Sequence, residues 1–208
     1  LPAFYADSQW RHITDWRAEL APHYATAKRM LGVVQNPTMT AADHLIKQVA
    51  DDMGVGDTFH PTPVGVFFGV PGVEVDDPYF GGAGPRRAGC RQCGACMTGC
   101  RYNAKNTLTK NYLYLAEQAG ATVRPDTTVV EVSPHPAGSG YRVATERTGA
   151  WLRPNRRSIH AEQVVFAAGA LGTQRLLHRM RDRGRLPNLS GRLGALSRTN
   201  SEAILGAK

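Results

Sequence analysis

Four cysteines stand in one eleven-residue window, Cys90-Arg-Gln-Cys93-Gly-Ala-Cys96-Met-Thr-Gly-Cys100, and the chain has no others. The spacing C-x2-C-x2-C-x3-C lets four thiolates each reach a different iron of a cubane, so Cys90, Cys93, Cys96 and Cys100 are candidate ligands of an iron–sulfur cluster. Two other readings stand beside it. A single zinc is less natural, because zinc ribbons join two knuckles across a dozen or more residues and none intervene here. Structural thiols or disulfides closing a tight loop are the third, although two bridges in so short a window would be strained. Arg101 follows the fourth cysteine where bacterial ferredoxins carry proline, and a second cluster motif is absent.

A second chemical signal lies further on. Val164-Val-Phe-Ala-Ala-Gly-Ala-Leu-Gly-Thr173 reads as a continuously apolar strand running into a small-residue turn, then a helix through Leu176, Leu177 and Met180. Such a strand-to-helix turn is where α/β folds hold phosphates and ribose. Glycine at the turn lets backbone approach a phosphate closely.

The elements that must position these residues are legible in outline. Trp16, Leu20, Tyr24, Ala27 and Leu31 form a helical stripe, which Pro22 should divide in two and Gly32 should end. Thr40 and Asp43 form a capping pair ahead of Leu45, Ile46, Val49 and Met53, and Gly54 stops that helix. Residues 55–89 are dense in Gly and Pro, with a strand over Val64 to Val70 and a lid-like loop after it. Asn106 to Ala119 reads as a helix stopped by Gly120. Strands follow at 122–124, 127–132, 141–146 and 158–161, the middle ones as an antiparallel meander, then at 163–168 as the buried parallel strand. The fold class is α/β (mixed α+β). Residues 1–89 are read as a helical and loop region of a substrate or cap part, and residues 90–208 as part of a cofactor-binding domain.

Bulk composition narrows the classes. The 208 residues are 42% hydrophobic and 20% charged, ordinary for a soluble globular protein. No apolar run approaches the ~20 residues of a transmembrane helix. The net charge of +8 comes with dispersed arginines and local clusters such as Arg86-Arg87, with no aromatic interleaving and no DNA-reading motif, so nucleic acid is not an expected partner.

The pieces together are more specific than any one. Cys93-Gly-Ala-Cys-Met-Thr-Gly-Cys-Arg-Tyr-Asn-Ala-Lys-Asn-Thr-Leu-Thr-Lys-Asn-Tyr-Leu113, then Gly120-Ala-Thr-Val-Arg-Pro125, then Val164 to Thr173, then Arg185-Leu-Pro-Asn-Leu-Ser190 resemble the glucose–methanol–choline (GMC) family of FAD-dependent oxidoreductases, nearest its cholesterol-oxidase-like branch. Asp15-Trp-Arg-Ala-Glu-Leu-Ala-Pro-His-Tyr24 resembles the helix that precedes this region there. The resemblance implies part of an FAD-binding, Rossmann-like domain. It places Lys105, Asn106, Thr107 and Leu108 at a helix start near the flavin. It places the backbone of Val129 against the adenine, and Ala168, Gly169 and Gly172 beside the ribityl–pyrophosphate portion. It implies oxidation of the CH–OH group of an alcohol, a sterol among the candidates, with oxygen or an electron-acceptor protein as the partner.

Two family features are not found in this sequence, the opening G-x-G-x-x-G turn and the closing histidine segment that handles the hydroxyl proton. None of the seven histidines stands in a matching context, and no residue is assigned a catalytic role. The expectation is therefore an internal piece of a longer enzyme, inactive alone. Two alternatives remain: a flavin dehydrogenase whose cysteine cluster relays electrons outward, and a non-enzymatic metal-binding module.

Overall fold

The structure is a computed structural model and describes residues 2–197 and 199. Its contacts divide the chain into two compact units, Leu1–Val123 and Arg124–Lys208. The cysteine loop thus packs within the first unit, and the strand pairing of the meander within the second.

In the first unit the helices are α1 (Pro2–Tyr5), α2 (Trp16–Met30), α3 (Ala41–Asp52) and α4 (Tyr112–Gln118). Asp15 caps α2 by accepting the N–H groups of Arg17 and Ala18 at 3.1 and 3.2 Å. Pro22 does not divide this helix; α2 runs through it, since the ring's fixed φ is helical and only one backbone donor is lost. The helix ends as expected at Gly32 (φ +55°). Gly32 N–H bonds Arg29 O and Val33 N–H bonds Lys28 O, a Schellman closure that satisfies two orphan carbonyls. Helices α3 and α4 close in the same way on Gly54 and Gly120. Thr40 and Asp43 form the expected capping box on α3, and the apolar face of α3 is exposed, Leu45 at 63% and Met53 at 71%.

Strands here are brief. β1 (Val34–Gln35) pairs antiparallel with β2 (Pro63–Val64), and β3 (Glu74–Val75) with β4 (Arg87–Ala88). The strand expected over Val64 to Val70 is reduced to β2 and one bridge from Val66 to Lys105. Pro63, Gly65 and Gly69 punctuate it, and glycine and proline weaken a ladder. The long helix expected from Asn106 is also cut. Leu108–Lys110 is a 3-10 turn, and Asn111 leaves the helical region (φ −136°, ψ −101°). The Asn111 side chain accepts the N–H of Tyr112 at 2.6 Å, so it caps a short α4 rather than continuing a long one. Residues 122–123 carry no strand.

The second unit is the meander. β5 (Thr127–Pro134), β6 (Tyr141–Arg147) and β7 (Arg157–Ala161) form an antiparallel sheet in chain order, with Val132 opposite Val143 and a bulge between Val129 and Glu131. Helix α5 (Gly169–Asp182) packs on β5 through Met180, which is fully buried and whose sulfur accepts the N–H of Val132 at 3.2 Å. Glu131 pairs with Arg142 and Arg185, both at 3.2 Å, fastening the end of α5 to the sheet. The buried parallel strand expected at 163–168 is not formed. Residues 163–167 pair with no strand and Val165 is 89% exposed. A buried parallel strand needs neighbours on both edges, and the described residues supply none there.

Candidate functional site

The cysteine loop is held from beneath by side chains bonded to backbone. Arg87, on β4, is 1% exposed. Its Nε donates to Asn103 O at 3.1 Å and its Nη2 to Ala104 O at 2.8 Å, which fixes the chain just after the fourth cysteine. Its Nη1 is buried without a partner, and among the described residues no carboxylate forms an ion pair with it. Arg86 beside it is exposed and faces Glu74 and Asp76. The local cluster Arg86-Arg87 is therefore one surface arginine and one core arginine, because β4 turns successive side chains to opposite sides. Gly89 follows, where an added Cβ would lie 2.1 Å from Val70 O, so only glycine allows the loop to pass that backbone.

Above this base the four sulfurs differ. Cys90 and Cys100 are half-buried; Cys93 and Cys96 are exposed; all four are free. Cys90 Sγ accepts the N–H of Gln92 at 3.3 Å, and Cys100 Sγ that of Ala104 at 3.4 Å. Burial pushes the Cys100 thiol up, but the N–H groups of Lys105, Ala104 and Tyr102, with the Arg87 charge, outweigh it and hold it below its ordinary value. Burial lowers the Arg87 guanidinium, opposed by Tyr79, Cys100 and Asp77. The Lys105 ammonium donates to Cys96 O at 2.9 Å, arching over the loop. All four cysteines line one mostly apolar cavity of about 290 Å³ with Val64, Val66, Phe68, Tyr102, Ala104 and Lys105. Among the described residues no three Cys, His, Asp or Glu side chains gather as a metal-binding group. The convergence of four thiolates that a cluster requires is not what this structure shows.

The adjoining loop is organised by one carboxylate. Asp77 accepts the N–H groups of Tyr79, Phe80, Gly82 and Gly84 at 2.8 to 3.1 Å. Burial raises its pKa, and the four donors together bring it below the usual carboxylate value. Neither Asp77 nor Arg87 is read from the sequence as a site residue. Asp77 had a signal, an acid ahead of Gly81, Gly82 and Gly84; Arg87 had none.

The residues read as cofactor-binding fall into the two units. Lys105 to Leu108 lie in the first, where Thr107 is the N-cap of the 3-10 turn Leu108–Lys110. Asn106 Nδ2 donates to Leu31 O at 3.1 Å, its Oδ1 is buried without a partner, and Thr107 bonds Thr109. Val129, Ala168, Gly169 and Gly172 lie in the second. Ala168 is the N-cap of α5, Gly169 sits at φ +71° with open space where a Cβ would stand, and no acidic side chain occupies the first turn. At Gly172 an added Cβ would be 3.1 Å from that of Ala168. Ala168 N–H is already taken by Thr173 Oγ1 at 3.0 Å. Val129 is on β5, an edge strand with one free backbone side, at the bulge. An open helix start without negative charge and a free strand edge suit a phosphate and an adenine respectively, so the second unit fits the FAD that the sequence resemblance implies.

A family model for GMC oxidoreductases matches residues 84–180. Cholesterol oxidase of Mycobacterium tuberculosis (strain ATCC 25618 / H37Rv) is 65% identical over 209 residues, covering 98% of this chain and 36% of that protein. Cholesterol oxidase of Acinetobacter baumannii is 46% identical over 210 residues, covering 97% of this chain and 38% of that protein. The chain thus spans little more than a third of the length of these relatives. The family match runs through both the cysteine loop and the start of α5, and over those residues the chain is similar to the GMC oxidoreductases.

Proposed function

We propose that this chain is part of an FAD-dependent oxidase that oxidises the CH–OH group of a sterol. The observation that carries the reading is the near-complete cover of the chain by relatives named for that activity. In it, the open start of α5 at Gly169, flanked by Ala168 and Gly172, leaves room and backbone N–H groups for the pyrophosphate, and the free edge of β5 at Val129 offers backbone partners to the adenine. FAD, when bound, supplies the hydride acceptor. The contribution of these residues is to place and orient it, and to keep the phosphate charge beside a helix start. Oxygen is the electron acceptor.

The test uses the full-length protein. The expected result is one flavin per chain by absorbance, and peroxide release with a sterol that exceeds that with short aliphatic alcohols. Gly169→Val should retain the meander fold by circular dichroism and lose flavin, because a branched side chain there is strained at positive φ and fills the space kept open. Absence of flavin from the full-length protein, or flavin with no response to any alcohol, would overturn the proposal.

A further inference from the structure

The net charge of +8 belongs wholly to the second unit, which holds fourteen Arg and Lys against six Asp and Glu; the first unit holds eleven of each. Part of that excess gathers in one place. A groove of about 500 Å³ runs between the end of α5 and the meander. It is lined by Glu131 of β5, Arg142 and Glu146 of β6, Arg156 ahead of β7, Arg179 of α5 and Arg183 at the C-cap of α5. Both carboxylates are already taken. Glu131 meets Arg142 through one oxygen and Arg185 through the other, each at 3.2 Å, and Glu146 meets Arg156 at 2.6 Å. The guanidiniums of Arg179 and Arg183 have no ion pair or hydrogen bond among the described residues. They stand four positions apart on α5, where like charges repel. The lining therefore carries four guanidiniums against two carboxylates, an excess of two positive charges. The end of a helix opposes an anion with only about half a charge, so the guanidiniums decide the sign of the ligand. Their planar forks of N–H donors match phosphate oxygens, and a phosphate monoester carries about 1.5 to 2 negative charges near pH 7.

We propose that this groove binds the phosphate group of a phosphate monoester, with Arg179 and Arg183 as its direct donors. Arg142 and Arg156, held by Glu131 and Glu146, form the flanking positive wall. The site is separate from the open start of α5, because Arg179 is ten residues beyond Gly169, about 15 Å along the helix. It does not rest on the alcohol-oxidising reading. A soluble phosphate ester and a phospholipid headgroup present the same chemistry, and the experiment separates them.

The experiment uses the full-length protein at low salt. Glycerol 3-phosphate is titrated by calorimetry, and vesicles of phosphatidylcholine containing phosphatidic acid are tested by co-sedimentation. At least one probe should bind, and Arg179→Gln and Arg183→Gln should each weaken that binding about tenfold, the loss of one charge-assisted contact. Arg181→Gln makes the same charge change on the opposite side of α5 and should stay within about twofold of wild type. Arg183 is exposed, so its variant decides if Arg179→Gln does not fold. Binding of glycerol 3-phosphate assigns a soluble ligand; binding of the vesicles alone assigns a lipid headgroup. Failure of both probes to bind overturns the proposal. So does binding that Arg181→Gln weakens as much as Arg183→Gln, which is attraction to net charge without a site. Neither flavin content nor alcohol oxidation enters the readout, so failure here and failure of the oxidase reading are told apart.

Discussion

The base of the cysteine loop and the meander are both ordered, but by different means. In the meander the backbone bonds itself: β5, β6 and β7 run in register from Thr127–Arg147 to Tyr141–Ala161, and the core beneath is Val132 and Met180. At the loop the backbone has short ladders only, and side chains supply the rest. Arg87 holds the carbonyls of Asn103 and Ala104, Asn111 caps α4, and Asp77 gathers four N–H groups. The buried centre there is polar: Arg87 and Asn111 are each 1% exposed. A ladder tolerates replacement of most side chains, because the backbone groups pair regardless. A loop held by three polar side chains does not.

This contrast predicts that single polar changes will damage the loop as much as a core deletion damages the meander. Arg87→Met should have the largest effect. It takes the guanidinium donors from Asn103 O and Ala104 O, which keep only the N–H groups of Ala88 and Phe67, and removes a buried hydrogen-bonded cation, for about 3–4 kcal/mol of stability by denaturant unfolding of the full-length protein. A loss under 1 kcal/mol would mean that the loop is held some other way. Met180→Ala, the matched deletion under the sheet, should cost about 3 kcal/mol, since it opens a cavity between α5 and β5 and leaves the Val132 N–H without its sulfur.

Asp77→Asn should cost less, about 2 kcal/mol, with an acid signature. The folded Asp77 has a depressed pKa, so its contribution is fully present above the ordinary value of 3.8 and is lost as pH falls through the lower folded value. The stability gap between wild type and variant should therefore narrow on acidification below that point. A gap independent of pH would show that the four donors bind the asparagine as well as the carboxylate. Thr40→Ala, on the exposed α3, should cost only about 1 kcal/mol through the lost cap and leave the loop untouched.

The same division explains what could be read in advance. Helix stops at Gly32, Gly54 and Gly120, the capping box at Thr40 and Asp43, and the three strands of the meander are set by neighbours in sequence or by short connections, and the structure has them. Of the readings that failed, two turned on a single local residue and one on distant partners. Pro22 is a local obstacle that α2 absorbs. Asn111 breaks a helix whose apolar spacing is otherwise regular. Residues 163–167 have the apolar run of a buried strand, but a strand is a relation to other strands. Ala168 and Gly169 stand at the start of α5, and Thr107 and Leu108 at the start of a 3-10 turn.

By itself, then, the sequence carried the resemblance to the GMC family, the mixed α and β character, the order of the meander and the helix boundaries that glycine and threonine enforce. Those are properties of residue type and spacing, in which the physical rule acts within a few positions. Only the tertiary structure decided that Arg87 is a core cation while Arg86 is at the surface. It also decided that the four cysteines share a cavity wall instead of converging as ligands, and that Cys100 accepts the N–H of Ala104. Such facts depend on which distant carbonyls and N–H groups come within about 3 Å of a side chain. A pattern of residues along the chain does not fix that distance; the packing does.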